Sequence, residues 1–583
     1  MSAVTGEEIA VIGLACRLPG APDVSAFWQN LVAGVDSVHD YTREELLDLG
    51  IGPGLLDDPA HVPAGGRLPG VEDFDAEFFG FGPGEAALTD PQHRLFLEAS
   101  WTALEDAGYD PGRYPGPVGV FGSASVNRYF QFHLFGNPAV SRADRDDWEG
   151  RLLEHQAADY LPAQTAYRLG LTGPALAVQS ACSGSLTAVC LAAQSLGDFR
   201  CDLALAGGVS VTWPRYRHTV GGLVARDGRC RAYDASGTGA VYGSGVGVVV
   251  LKRLADAEAD GDHVHAVLRG WALSNDGAQR AGFAAPGLSG QTAAAAEALA
   301  VAEVGADEIG LVEGNGGGTV WGDAIEVQAL TRAWRAAGAR ATAACALGSV
   351  KTNVGHLDAA SGVTSLIKAI LAVRHGVIPA SLHFDKPNPE TGLEDSPFFV
   401  PTETTAWPAD SANPRLASVC AAGLGGSNAH VIVEQPPAHA AAERRPGPWP
   451  LPLSAASPQA LAEQIKRLRT YLADHPDVDL ADVSFTLAMG RRALRHRFAV
   501  VCDDVAEAIA ALDPESDPSP EPGTVAELAR QWMLGTAVDW SSVVSGRRVP
   551  LPGYPFQRVR HWIDLPDVSD APAATADRSG VNA

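Results

Sequence analysis

A cysteine in a turn of small residues is the side chain best suited to nucleophilic chemistry in this sequence. Residues 178–186 read Val-Gln-Ser-Ala-Cys-Ser-Gly-Ser-Leu, with Cys182 at the centre. The pattern predicts a buried strand, a turn, and a helix that begins at Ser183, Gly184 and Ser185. A thiol attacks carbonyl groups as its thiolate, and a helix N-terminus stabilises that anion and lowers the thiol pKa. Cys182 is therefore predicted to be a nucleophile with room beside it for a thioester arm.

Two other segments supply polar side chains for the same kind of reaction. Lys351 and His356 stand close together, and Glu313 and Asn315 open a glycine-rich run upstream of them. A neutral imidazole can accept or donate a proton near neutral pH and can hydrogen-bond a thioester oxygen. Lys351 can fix the charge of such a network, and Glu313 can act as a base or orient one. Asn315 can donate a hydrogen bond to an oxyanion, but an amide cannot carry a proton away.

Alternating apolar and glycine-rich segments predict the elements that position these side chains. Apolar or β-branched runs predict strands at 9–13, 118–122, 203–208, 246–254, 263–271, 309–313 and 498–502. Apolar residues at helical spacing predict helices at 95–107, 291–303 and 457–475. Strands that alternate with helices in two successive halves favour a layered α/β fold.

Composition and charge argue against several classes of function. The net charge of -26 over 583 residues disfavours binding of nucleic acid or of an anionic membrane through bulk electrostatics. The negative net charge is compatible with an acidic carrier-protein partner, because a local basic patch can lie on an acidic protein. No run of about 18 apolar residues is present that could span a membrane, and residues 1–8 do not resemble a secretory signal. Eight scattered cysteines without paired spacing favour a reduced, cytoplasmic protein with neither a disulfide framework nor a metal site.

The three chemical segments, in this order, resemble the active site of polyketide ketosynthases, which belong to the thiolase superfamily. The resemblance runs from about residue 9 to residue 435 and includes motifs at 13–20, 74–79, 90–94, 227–230, 383–389 and 425–430. It implies an α/β fold with a thiolase-like, five-layered α-β-α-β-α core that forms a homodimer. It also implies an acyl carrier protein as partner. The enzyme would need no cofactor of its own, because the phosphopantetheine arm of that separate carrier protein holds the substrate.

The resemblance also predicts how the chain is divided. Residues 1–435 form the ketosynthase domain, and residues 436–548 form a proline-rich linker, which extends to Pro450, and a small α/β flanking subdomain. Residues 549–566 resemble the linker that follows the acyltransferase in modular assembly lines and packs back on the ketosynthase. Nothing large enough to be an acyltransferase precedes it here. We expect residues 567–583 to be disordered because they are small and polar.

Four positions depart from the resembled family, and one of them is Ser244, where many relatives carry an acid. That family carries a histidine where this chain has Asn315, and two histidines together expel carbon dioxide from a malonyl unit. Gly317 replaces a family threonine, and Ala422 stands where relatives carry phenylalanine. Loss of the ring opens space for a bulkier or folded substrate unless neighbouring side chains refill it. The substrate-binding residues that the resemblance implies are Thr319, Ala422, Leu424 and Ser427.

These features predict a non-decarboxylative ketosynthase that closes a ring. A β-ketoacyl chain passes from a carrier protein to Cys182, and a modest base, either His356 or Glu313 through water, generates its enolate. Intramolecular aldol addition follows, and the new alkoxide attacks the thioester and releases a lactone. In the resembled family the backbone N–H groups of Cys182 and Leu424 form the oxyanion hole. The freestanding ketosynthases that close the γ-lactam-β-lactone of salinosporamide-type compounds are the closest analogy.

Three alternative functions stay open. A non-elongating, transacylating ketosynthase that relays chains between carrier proteins lacks the same histidine, although such relays usually lie within multidomain chains. A catalytically inactive partner in a heterodimer generally loses the cysteine, whereas Cys182 is present here. Ordinary decarboxylative elongation, with Asn315 in place of the histidine, is the fourth possibility.

Overall fold

The computed structural model describes residues 8–140, 152–409, 413–438, 445–513 and 523–565. The tail at 567–583, for which the sequence predicts disorder, lies outside the described residues. Across the described ranges, no helix is both long and apolar enough to cross a membrane.

The strands alternate with helices along the chain. The strands are β1 Ile9–Arg17, β2 Val38–Asp40, β3 Ala64–Gly66, β4 Asp73–Phe74, β5 Val118–Ala124, β6 Ala175–Ala177, β7 Leu203–Ser210, β8 Gly245–Arg253, β9 Ala266–Asn275, β10 Ile309–Glu313, β11 Cys345–Gly348, β12 Val377–Ile378, β13 Phe398–Phe399, β14 Thr405–Ala406, β15 Leu416–Ala422, β16 Ser427–Glu434, β17 Trp449–Ala455, β18 His496–Cys502 and β19 Val559–Arg560. The α-helices are α1 Val24–Val32, α2 Arg43–Asp48, α3 Pro53–Leu56, α4 Pro83–Leu88, α5 Pro91–Asp106, α6 Leu153–Gln156, α7 Leu161–Leu169, α8 Gly184–Gly197, α9 Leu254–Ala259, α10 Leu288–Ala302, α11 Val320–Ala336, α12 Lys351–Val354, α13 Ser361–His375, α14 Pro458–Asp474, α15 Leu480–Gly490, α16 Val505–Ala511 and α17 Thr524–Met533. Every numbered strand and helix range predicted above is present, with ends that differ by a few residues. The strand before the Cys182 turn was predicted to be buried, which is wrong: β6 lies at an edge of the large sheet, and Leu176 is 50% exposed.

One mixed sheet carries most of the strands. Its order is β13-β11-β10-β15-β16-β9-β1-β8-β7-β5-β6. β1 pairs antiparallel with β8 along its length and with β9 at residues 9–11, so the two halves of the sheet meet at β1. The residues of β7 and β8 are buried on both faces, apart from Arg253 at the end of β8, which explains their nearly continuous apolar sequence.

Helices cover both halves of this sheet and also fill the space between them. α5 and α7 pack on the outer face of the half that contains β5, β7 and β8. α8 and α13 contact each other and strands of both halves, and α10 and α11 contact each other, with α10 packed on β9 and β16 of the second half. The resulting helix, sheet, helix, sheet, helix order confirms the predicted thiolase-like core.

The proline-rich linker ends earlier than the sequence predicts. Trp449 and Pro450 belong to β17, which pairs antiparallel with β18 in a two-stranded sheet. A proline cannot donate a backbone hydrogen bond, but a strand with one free edge tolerates it there. Leu451 and Leu453 alternate into the apolar core of the flanking subdomain and stabilise the strand.

Residues 554–563 lie against the ketosynthase core, whereas Val549 and Leu551 pack in the apolar core of the flanking subdomain. Tyr554 and Phe556 belong to the same buried apolar cluster as α5, and their rings lie 4.4 and 5.3 Å from the ring of Phe78. The backbone N–H of Tyr554 donates to Glu105 Oε2 at 2.6 Å. β19 pairs antiparallel with β4. The segment therefore completes the outer surface of the core through apolar contacts and backbone hydrogen bonds.

We predict that Phe556→Ala destabilises the protein because it removes a ring from this packed cluster. Phe556 is 9% exposed, and a Phe→Ala change in a well-packed site costs about 3 kcal/mol or more. Urea denaturation followed by tryptophan fluorescence measures the loss. Phe283→Ala is the matched control: Phe283 is 77% exposed, and its truncation should change stability by no more than about 0.5 kcal/mol. Equal stability of Phe556→Ala and the control would contradict the docking of this segment.

Candidate active site

The Cys182 turn is fixed by its backbone. A short 3₁₀ turn over Ala181–Ser183 leads into α8, as the sequence predicts. Ala181 has a φ of 53°, in the left-handed region, where a non-glycine residue costs about 1–3 kcal/mol. A Cβ at Gly184 would clash with Ser123 Oγ, so only glycine fits where the helix begins. The turn holds Cys182 in one orientation at the start of the helix.

The Cys182 thiol lies between a carboxylate and a backbone donor. Its Sγ donates to Asp358 Oδ1 at 3.8 Å, and the backbone N–H of Leu424 donates to Sγ. Burial first, and then the Asp358 charge, raise the pKa of Cys182 to about 11, while the nearby Lys351 ammonium lowers it. The expectation of a lowered thiol pKa is therefore wrong, because burial and a neighbouring carboxylate outweigh the helix N-terminus. The resting side chain is a protonated thiol at neutral pH.

His356 is a neutral hydrogen-bond donor in this arrangement. Its Nδ1 accepts the backbone N–H of Asp358 at 2.9 Å, which leaves the ring proton on Nε2. Burial, together with the charge of Lys351, lowers the pKa of His356 to about 3. The imidazole is thus suited to donate from Nε2 to an oxygen rather than to accept a proton, which argues against His356 as the base.

Lys351 and Asn315 are in direct contact. Lys351 is 2% exposed, and its Nζ donates to the Asn315 carbonyl at 2.6 Å and to Asn315 Oδ1 at 3.3 Å. Because Oδ1 accepts from the ammonium, the amide presents its Nδ2 protons as donors. The structure brings Asn315 and Lys351 together, and the charge of Lys351 acts on both Cys182 and His356.

Glu326, which the sequence analysis did not identify, holds the glycine-rich loop. It lies in α11, and its carboxylate accepts the backbone N–H groups of Asn315 at 2.6 Å and Gly316 at 2.8 Å. The Tyr233 hydroxyl, at 3.2 Å, and the Cys420 thiol, at 3.4 Å, also donate to it. Four donors on one buried carboxylate position the loop and occupy the oxygens.

Glu313 does not fit the role of base that the sequence suggests. Its carboxylate is fully buried, lies 2.7 Å from Lys368 Nζ, and accepts the backbone N–H of Val350 at 2.6 Å. A carboxylate paired with a buried ammonium is a poor proton acceptor, because protonation would leave the lysine charge unpaired. The prediction that Glu313 acts as the base is therefore corrected. Its hydrogen bond from Val350 instead joins β10 to the segment that carries Lys351.

The predicted substrate-binding residues lie in two places. Ala422 ends β15, Ser427 begins β16, and Leu424 lies in the tight turn between them, in which the Gly423 N–H donates to the Ser427 carbonyl at 2.7 Å. A Cβ at Gly423 would clash with the Ser180 carbonyl, so this turn packs directly on the Cys182 turn. Thr319 caps α11, with its Oγ1 accepting the Gly322 N–H at 3.2 Å. Leu424 is 48% exposed, whereas its N–H points at Cys182.

A cavity lies beside Asn315 and Ala422. It is small: its volume for a water-sized sphere is about 20 Å³, which is room for about one water molecule. The residues that line it are Gln291, Ala294, Asn315, Glu326, Leu330, Cys420, Ala421, Ala422, Asn428, Ala429 and His430. The space beside Ala422 is therefore limited to this small cavity, because neighbouring side chains occupy most of the volume. Its lining combines amide groups with small apolar side chains.

Asp358 is the other residue that the sequence analysis missed. It follows His356 by two positions, and its side chain meets Cys182, which is remote in sequence. An acidic residue directly after the Lys351–His356 segment was the available signal. Its contact with the thiol depends on the fold, so sequence spacing alone did not reveal it.

Alkylation of Cys182 tests these electrostatics. Iodoacetamide reacts with the thiolate, so the rate should rise about tenfold per pH unit between pH 7 and 10. Asp358→Asn removes a negative charge that raises the pKa, so it should speed alkylation several-fold at fixed pH. Lys351→Met should slow it, since the ammonium lowers the pKa. Intact-protein mass spectrometry with Cys182→Ala as blank gives the rates, and a slower Asp358→Asn reaction would contradict the arrangement.

Comparisons with known proteins identify the family of this chain. The family models described as "Beta-ketoacyl synthase, N-terminal domain" and "Beta-ketoacyl synthase, C-terminal domain" match residues 6–257 and 265–385. A third, "CurL-like, PKS C-terminal", matches residues 450–512. The last match covers the flanking subdomain from β17 to α16.

Curated relatives are much longer proteins. The chain is 43% identical over 506 residues to a phenolphthiocerol/phthiocerol polyketide synthase of Mycobacterium tuberculosis, which covers 85% of this chain and 34% of that protein. It is 37% identical over 622 residues to polyketide synthase ThaG of Burkholderia thailandensis, which covers 97% of this chain and 11% of that protein. The chain thus spans about a third or less of these relatives.

Solved ketosynthase structures are similar over their whole length. Ketosynthase twelve from the bacillaene polyketide synthase of Bacillus amyloliquefaciens has a TM-score of 0.85 and 33% identity, and covers 96% of this chain and 100% of that one. The ketosynthase from module 1 of the bacillaene synthase of the same species has a TM-score of 0.84 and 35% identity, with the same coverage. Similarity of this extent, in sequence and in fold together, shows that the chain belongs to the ketosynthase family of polyketide synthases.

Proposed function

We propose that this ketosynthase closes a ring on a β-ketoacyl chain held as a thioester on Cys182, without decarboxylation. The observation that carries the proposal is the Asn315 amide in direct contact with Lys351, whose charge also acts on the Cys182 thiol. An amide cannot take up or release a proton as an imidazole does. An acyl chain that already contains a β-keto group can form its enolate without decarboxylation.

Loading of the chain uses the Cys182 turn. The sulfur attacks the thioester carbonyl of a chain presented on the phosphopantetheine arm of an acyl carrier protein. The new C–S bond forms, and the pantetheine thiol leaves with the proton that Cys182 gives up. The N–H of Leu424 already points at Sγ, and together with the N–H of Cys182 it stabilises the tetrahedral oxyanion.

Asn315 makes decarboxylation of a malonyl unit unfavourable at this site. In the resembled family two histidines act together to expel carbon dioxide, and here only His356 matches one of them. The Asn315 amide can neither carry a proton nor become cationic, and its oxygen is already bound to Lys351. An acyl chain that already contains a β-keto group avoids the problem, because its α-proton is acidic enough to be removed directly.

Ring closure then follows from the remaining groups. The enolate oxygen accepts a hydrogen bond from His356 Nε2, and the enolate carbon attacks a carbonyl within the same chain to form a C–C bond. The alkoxide produced attacks the Cys182 thioester, the C–S bond breaks, and a lactone leaves. A fused γ-lactam-β-lactone is the ring system that the family resemblance suggests.

Product mass spectrometry tests the reaction. Purified enzyme is offered a carrier-bound β-ketoacyl aminoacyl chain with no malonyl donor. We expect acyl-Cys182 to form and a product isomeric with the cyclised chain to be released, and we expect neither with Cys182→Ala. If Cys182 loads and the chain moves unchanged to a second carrier, the protein is a relay and the cyclase proposal is wrong. Release of carbon dioxide from a malonyl carrier would instead indicate elongation.

The variant Ala422→Phe tests whether ring closure needs the space beside Asn315. A phenylalanine ring should fill the cavity beside Asn315, so release of the cyclised product should fall about tenfold or more while acyl-Cys182 still forms. Ala336→Phe is the control, since Ala336 is exposed at the far end of α11. Undiminished cyclisation by Ala422→Phe would show that ring closure does not use the cavity.

We also propose that the protein is a homodimer formed at β6. Among the described residues, this strand is one of the two edges of the large sheet, and a free edge presents unpaired backbone donors and acceptors. Apolar side chains on β6 and the neighbouring segments are exposed: Leu176 is 50% exposed, Tyr167 78% and Val126 68%. Such a patch on a strand edge is typical of an interface between subunits.

Light scattering after size exclusion measures the assembly. Two copies of the 60.7 kDa chain are expected for the wild type. Leu176→Arg should shift the species to monomer, because a charge at the centre of an apolar interface is costly to bury. Leu534→Arg, at a residue 72% exposed on the flanking subdomain, should stay dimeric. A monomeric wild type, or a dimeric Leu176→Arg, would contradict the β6 interface.

A further inference from the structure

We infer that Asp358 is the general base that enolises the acyl chain on Cys182. The inference rests on the proposed ring closure and names the residue that removes the α-proton.

The position of Asp358 suits this role. Its Oδ1 lies 3.8 Å from Cys182 Sγ, and the α-carbon of an acyl chain on that sulfur is only two bonds away from it. The 3₁₀ turn Asp358–Ala360 packs on the Ala181–Ser183 turn, so both backbones hold the two side chains together. The carboxylate is thus next to the proton that must leave.

The backbone of Asp358 is held in an unusual conformation. Its φ is 46°, in the left-handed region, which a non-glycine residue adopts at a cost. Ala181, on the opposite turn, shows the same feature. Strained backbone on both partners of one contact indicates that the surrounding structure fixes their relative position.

Asp358 differs from the other carboxylates around the site in having free lone pairs. Glu313 is paired with Lys368, and Glu326 accepts four hydrogen bonds. Within the described ranges, the Cys182 thiol is the only group that donates a hydrogen bond to the Asp358 side chain. Acylation removes that thiol proton. The carboxylate therefore loses its donor and becomes available as a base at the moment the substrate is in place.

The backbone of Asp358 also fixes the ring proton of His356, the group that hydrogen-bonds the enolate oxygen. Its N–H donates to His356 Nδ1, which places the imidazole proton on Nε2. One residue therefore supplies a proton acceptor through its side chain and fixes a hydrogen-bond donor through its backbone. Proton removal from the α-carbon and stabilisation of the enolate oxygen are the two demands of enolisation.

The proton is conserved through the cycle. Asp358 takes the α-proton as the C–H bond breaks, and the electron pair forms the enolate. The enolate attacks the internal carbonyl, and the resulting alkoxide attacks the thioester. When the C–S bond breaks, Cys182 leaves as thiolate and takes the proton back from Asp358. This restores the S–H and carboxylate pair of the resting enzyme, and no other reactant is needed.

Hydrogen–deuterium exchange isolates the enolisation step. The probe is a 2-methyl-3-oxopentanoyl thioester on the carrier protein, which has one α-hydrogen and no internal electrophile. The enzyme is loaded in D₂O, and mass spectrometry of the Cys182 peptide follows the gain of one deuterium. We expect exchange on the wild-type enzyme to be faster than on the carrier protein alone. Asp358→Asn should form acyl-Cys182 but lower the exchange rate at least about tenfold.

Two further variants complete the test. Asp358→Glu keeps a carboxylate and should restore part of the exchange. Asp307→Asn, at an exposed carboxylate of a surface turn, should behave as the wild type. Unchanged exchange in Asp358→Asn, or failure of this variant to load, overturns the role of Asp358. Wild-type exchange no faster than on the carrier protein overturns the proposed ring closure itself, so the two failures are distinguishable.

Discussion

The buried ion pair between Glu313 and Lys368 is the interaction on which the active site depends. Glu313 ends β10, directly before the loop that carries Asn315, and it also accepts the N–H of Val350, next to Lys351. Lys368 lies in α13, which follows His356. The pair therefore joins the three segments that bring Asn315, Lys351 and His356 together. Removal of either partner would leave a buried charge uncompensated, at a cost of about 3–5 kcal/mol.

Much of this arrangement could be predicted from sequence, because local patterns determine it. The apolar strand at Ile309–Glu313 and the small residues after Cys182 indicated their elements correctly, and the order of the motifs indicated the layered core. The chemical state of the site could not be predicted. The pKa of Cys182 depends on a carboxylate far away in the sequence, and the partner of Glu313 lies on another helix. Contacts of this kind arise only from the tertiary fold.

Asn315 and Ala422 line the same region of space. A glycine-rich loop held by Glu326 presents Asn315 on one side, and the end of β15 presents Ala422 on another. The Asn315 amide and the small Ala422 side chain set the hydrogen-bonding groups and the volume of this region. Neither side chain supplies the backbone donors around Cys182, so the groups that load the acyl chain are structurally separate from those that would direct its later chemistry.

The docking of residues 554–562 has a consequence for biosynthesis of the protein. Arg94, in α5, is fully buried, and its Nη1 donates to the His561 carbonyl at 2.7 Å, across 467 positions of sequence. During translation, α5 emerges from the ribosome long before the segment that covers it. Its apolar outer face stays exposed until nearly the whole described chain has been synthesised. The ketosynthase core therefore completes its folding late, and chaperones that recognise apolar surface have a long interval in which to bind it.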